Sequence, residues 1–91
     1  MSSDNVVLTK DWLEVAAASD DFRVTFVSRA PACEYNMRDG SGNPTEPGRR
    51  VRFPDMLLRD VCGEGRLLMR IVPEDSRLQC KLHVTGVAPA V

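Results

Sequence analysis

Near the C-terminus, the run Leu78-Gln79-Cys80-Lys81-Leu82-His83-Val84-Thr85 alternates apolar and polar side chains without an error. Side chains of a strand point to opposite faces in turn, whereas a helix repeats about every 3.6 residues, so only a strand puts every apolar group of this run on one side. Such a strand needs neighbours to pair with and a second layer to cover its apolar face. The same period recurs at residues 22–29, where Phe22, Val24 and Phe26 take one side and Arg23, Thr25 and Arg29 the other. At residues 66–72, Leu67, Met69 and Ile71 share one face and Leu68, Arg70 and Val72 the opposite one, so both are partly apolar. That is the pattern of a central strand or of an interface.

Weaker alternation runs through residues 32–37, with Cys33, Tyr35 and Met37 in phase, and 49–53, with Val51 and Phe53 inward and Arg50 and Arg52 outward. Glycine and proline punctuate these segments: residues 38–48 hold Gly40, Gly42, Pro44, Pro47 and Gly48 and read as a surface loop. Cys62-Gly63-Glu64-Gly65 is a shorter turn, and Pro73-Glu74-Asp75-Ser76 reads as a hairpin connection of about four residues between the last two strands. In residues 10–18, Trp12, Leu13, Ala16 and Ala17 fit helical spacing, while the preceding Val6-Val7-Leu8-Thr9 and the surrounding strands favour another strand.

The expected fold is therefore all-β, a compact antiparallel β-sandwich or barrel of about 7–8 short strands. A chain of 91 residues allows one such domain across residues 1–91, with residues 1–9 as either its edge strand or an N-terminal arm. The expected core comprises Val24, Phe26, Val51, Phe53, Leu67, Met69, Ile71, Leu78, Cys80, Leu82 and Val84.

Apolar residues at 43% and charged residues at 27% suit a globular chain and exclude whole-chain disorder. No apolar run approaches the roughly 18 residues of a membrane span, and the Met-Ser-Ser-Asp-Asn start lacks the features of a signal peptide. The expected address is the cytoplasm or a particle assembled there. Net charge is −1, which argues against a general electrostatic grip on nucleic acid or anionic membrane. Residues 1–21 are nonetheless acidic, with Asp4, Asp11, Glu14, Asp20 and Asp21 against Lys10.

Cys33, Cys62 and Cys80 lack the close spacing of a zinc or redox motif and read as three thiols filling core positions, with one disulfide as the competing arrangement. No metal or cofactor is expected. The single histidine, His83, falls in the outward phase of its strand beside Lys81 and reads as structural. Asp20-Asp21 and Glu74-Asp75 sit in turns as solubilising residues, and Gly40-Ser41-Gly42 lacks the Lys-Ser/Thr ending of a phosphate loop. An enzyme with a small-molecule substrate is not expected.

The order of features resembles small phage virion proteins, β-sandwich modules that decorate capsids or form head-fibre and tail attachments. The resemblance rests on Val6-Val7-Leu8-Thr9 with Trp12 and Val15, on the strand at 22–28, on the Pro/Gly turn before the polar strand at 44–52, and on the pair at 67–72 and 78–85. It implies a non-enzymatic building block of a virion, assembled in the host cytoplasm through protein–protein contacts, as a homo-oligomer or a capsid or tail assembly. The interface expected from the residues is Val6, Val7 and Leu8, with Leu68 and Val72 as surplus apolar surface and Arg49, Arg50 and Arg52 as a basic patch. The alternative is a small nucleic-acid-binding β-barrel that uses the same three arginines beside Phe53.

Overall fold

A computed structural model describes residues 2–27, 32–40, 42–52 and 55–87. They form eight strands, β1 (Ser2–Leu8), β2 (Leu13–Ala16), β3 (Arg23–Phe26), β4 (Cys33–Arg38), β5 (Arg49–Val51), β6 (Met56–Leu58), β7 (Arg66–Ile71) and β8 (Cys80–Val87), with one helical turn, α1 (Arg59–Cys62), between β6 and β7. The strands make two four-stranded sheets, ordered β1-β8-β3-β6 and β2-β7-β4-β5, and every pairing is antiparallel. The fold is the expected all-β sandwich.

Alternation builds the core. Leu8, Val24, Leu57, Cys80, Leu82 and Val84 point inward from the first sheet and meet Val15, Cys33, Tyr35, Val51, Leu67, Met69 and Ile71 from the second. Of the expected core, Phe26 is half-buried against this cluster and Phe53 lies outside the described residues. Leu78 is a correction: it is 71% exposed, because β8 starts only at Cys80 and Leu78 has no strand neighbour to fix its phase.

Residues 73–76 are a second correction, since they do not close a hairpin. β7 is flanked on both sides by β2 and β4, and β8 by β1 and β3, so the connection must cross from one sheet to the other. Asp75 secures the crossing. Its carboxylate accepts from the amides of Ala32 at 3.1 Å and Arg77 at 2.9 Å, and its carbonyl accepts from the Lys10 ammonium.

The ambiguous segment at 10–18 contains a strand, β2, and a bulge explains its helix-like spacing. Glu14 pairs with Leu68 and Ala16 with Leu67, which leaves Val15 as an extra residue. The slip lets Val15 and Ala16 both face the core, a pattern that a regular strand cannot produce. A second bulge lies in β8, where Ser2 faces Val87 and Ser3 faces Thr85. The inserted residue is Gly86, at φ 82°, and a Cβ there would collide with the Asp21 carbonyl.

The placement of Leu68 and Val72 on an exposed second face is also corrected. They are 1% and 0% exposed, although they point away from the main core. The reason lies in the side chains on that face.

Candidate functional site

Glu34, Arg70 and Trp12 close the outer face of the second sheet. In register, Glu34 of β4 sits opposite Arg70 of β7 on one side and Arg50 of β5 on the other. Its side chain is 3% exposed and accepts from Arg70 Nε at 2.5 Å, and the Arg70 guanidinium lies 4.6 Å over the Trp12 ring. A carboxylate shielded from water in this way needs a fixed partner, which Arg70 supplies. Arg70 stands between Leu68 and Val72 in sequence, so the stack shares its face with those two buried side chains. The sequence pattern marked the face as apolar but gave no sign that the chain covers it itself.

Of the three arginines of the expected basic patch, Arg50 and Arg52 come to one pocket and Arg49 lies apart. Arg50, on the outer face, forms an ion pair with Glu74 across exposed surface. Arg49 takes the opposite face of β5, where its charge acts on the half-buried Cys62 thiol. Arg52 follows the strand, its amide donating to the Asp55 carboxylate at 3.2 Å. Arg50 and Arg52 line a shallow pocket with Ala32, Val51 and Asp55, so an acid already shares that rim.

Of the expected apolar triad, only Val7 is on the surface, at 43% exposure; Val6 packs against the core and Leu8 is fully buried. Residues 2–8 take the place of the expected edge strand. They pair along their length with β8, from Ser2 opposite Val87 to Leu8 opposite Cys80, and form an edge of the first sheet.

The edges have a common feature. β1, β6, β2 and β5 each have one side unpaired in the sheet order. Val7 on β1, Met56 on β6 and Leu13 on β2 are 43%, 49% and 39% exposed, while β5 presents Arg49 and Arg50 instead. An edge strand that offers unpaired N–H and C=O groups beside an apolar side chain is a template for another strand. Leu13 and Met56 escaped the sequence reading because alternation identifies strands but not which of them end up at an edge.

A pocket of about 390 Å³ opens at one end of the first sheet, lined by Asp21, Phe22, Arg23, Leu58, Arg59, Asp60, Thr85 and Gly86. Arg59, the residue there with most hydrogen-bonding power, is committed to the fold. It donates to the carbonyls of Asp20, Gly63, Gly65 and Ala17 at 2.6–2.9 Å. His83 lies on the outer face of the first sheet, half-buried, with Nδ1 3.2 Å from Asn5 Oδ1 of the neighbouring strand.

Among the described residues, no group of three or more His, Cys, Asp or Glu is placed to hold a metal ion, and no helix is long and apolar enough to cross a membrane. Comparisons with protein-family models, curated proteins and solved structures find no match to this chain.

Proposed function

We propose that this chain is a non-enzymatic structural module that assembles with protein neighbours, copies of itself first, through the edges of its sandwich. The observation that carries the reading is the exposure of Val7, Leu13 and Met56 on three edge strands. Pairing such an edge with a neighbour's strand satisfies main-chain groups and removes apolar surface from water in one step. The order of features shared with phage β-sandwich modules supports placing this assembly in a virus particle.

Less favours the alternative reading, a nucleic-acid surface on Arg49, Arg50 and Arg52, because Arg49 takes the other face and the acids Glu74 and Asp55 stand beside Arg50 and Arg52. Light scattering on purified chain supplies the test. A mass that is a multiple of 10.1 kDa is expected, reduced towards the single chain by Val7→Lys, Leu13→Lys or Met56→Lys at whichever edge is used. A folded chain that stays single at high micromolar concentration, or one assembled equally well with all three lysines, overturns it.

A further inference from the structure

Cys33 and Cys80 face one another across the sandwich interior. Cys33 is the first residue of β4 in one sheet and Cys80 the first of β8 in the other, with exposures of 0% and 5%. Both carry thiols, both belong to the one buried core cluster, and the two side chains are close enough to act on one another's titration. The register independently places them at one corner of the sandwich. Cys80 pairs with Leu8 and Cys33 with Ile71, and the residue after Leu8, Thr9, accepts a hydrogen bond from the Ile71 amide at 2.8 Å. The chain thus crosses from the first sheet to the second at the corner where these cysteines lie. Neighbouring sheets elsewhere in a sandwich stand about 10 Å apart.

We propose that Cys33 and Cys80 are the two halves of an inter-sheet disulfide, closed by thiol–disulfide exchange with a low-molecular-weight disulfide such as oxidised glutathione. The neighbouring Cys80 side chain and burial push the Cys33 thiol up, while Cys33 and the charge of Arg77 bring the Cys80 thiol down. Cys80, the less buried of the two and the one beside Arg77, is the first nucleophile. Its thiolate attacks one glutathione sulfur, the glutathione disulfide bond breaks, and one glutathione thiolate leaves. Cys33 then gives up its proton, attacks the Cys80 sulfur of the mixed disulfide and expels the second glutathione. Two protein thiols are oxidised to one disulfide, and one glutathione disulfide is reduced to two thiols. Because both cysteines begin their strands, fraying of two strand ends exposes them without global unfolding. Cys62 lies apart in α1, half-buried, with its thiol pushed up by burial, and is not a partner in this step.

Trypsin places each cysteine on its own peptide, at residues 30–38, 60–66 and 78–81. The reduced full-length chain is incubated folded with oxidised glutathione, and in parallel refolded in a glutathione redox buffer, then alkylated and digested without reduction. Peptides 30–38 and 78–81 should emerge joined, short of two hydrogens, with 60–66 alkylated and the thiol titre reduced from three to one per chain. Cys62→Ser should give the same cross-link. The oxidised form should melt on the order of 10 °C higher than the reduced form and revert with dithiothreitol. A cross-link to 60–66, a glutathione adduct on 78–81 that does not resolve, or a full set of titratable thiols in both arms overturns the proposal.

Discussion

The Arg59 guanidinium lies 4.6 Å above the Phe22 ring while its nitrogens bind the carbonyls of Ala17, Asp20, Gly63 and Gly65. One side chain thereby joins the loop before β3 to the loop before β7. The main-chain amide of Arg59 also donates to the Phe22 carbonyl at 3.2 Å. Only a planar fork with several fixed donors can serve this many carbonyls; a lysine ammonium can keep the ring contact but not the set. Arg59→Lys should lower stability by about 2 kcal/mol, read from the midpoint of urea unfolding. Unchanged stability would show that water replaces the guanidinium without loss.

Glu34 and Arg70 form a pair of unequal depth, 3% and 23% exposed. Removing the cation leaves a buried carboxylate with its partner gone, so Arg70→Met should cost about 2–3 kcal/mol, at the lower end because Arg70 still reaches solvent. The double change Glu34→Leu with Arg70→Met should recover part of that loss. A double-mutant cycle in denaturant measures the coupling, and strict additivity would remove the ion pair from the account.

Alternation made the sandwich legible. The phases of Val24, Leu67, Met69, Ile71, Cys80, Leu82 and Val84 all hold in the structure. What it could not convey was strand order, and each misreading follows from that. Residues 73–76 joined two strong strands and so resembled a hairpin, but both strands were already flanked in separate sheets. Leu68 and Val72 have the residue types of a sticky face. They are nonetheless buried, on the face where Arg70 joins Trp12 and Glu34, residues remote in sequence and unremarkable in composition. Val15 broke the period of β2 because a bulge inserts a residue, and bulges leave no hydrophobic pattern of their own. For the candidate site, Val7 was legible while Leu13 and Met56 were not, since exposure at an edge is a property of the assembled sheet.

The difference between Leu68 and Val7 gives a direct comparison. Leu68→Lys puts a charge at a site 1% exposed and should unfold the domain, seen as loss of the cooperative thermal transition. Val7→Lys, at 43% exposure, should leave folding nearly unchanged and act on association instead. A folded, dissociated Leu68→Lys protein would restore that face as an interface.

Acid should weaken the crossing between β7 and β8. The amides of Arg77 and Ala32, with the charges of Arg77 and Lys10, hold the Asp75 carboxyl below its ordinary value of 3.8. Its folded-state pKa is depressed, so the stability it contributes is present above the unfolded value and is lost as pH falls through the folded one. Glu46, bonded by Arg38, and Glu74, bonded by its own amide and then by Arg50, are shifted the same way. Thermal midpoints should fall steadily from about pH 5 to about pH 2, and Asp75→Asn should show a shallower fall. A parallel pH profile in the variant would mean that Asp75 is not part of the acid response.

Amide hydrogen exchange across a concentration series tests edge-to-edge assembly most directly. In the single domain, the outward amides of β1, β2 and β6 have no strand neighbour and should exchange rapidly, while those of β7 and β8 are protected on both sides. As concentration rises, protection should spread onto at least one of the edges that carry Val7, Leu13 and Met56, in step with the mass seen by scattering. Association with no added protection at any of these three edges would contradict the central claim.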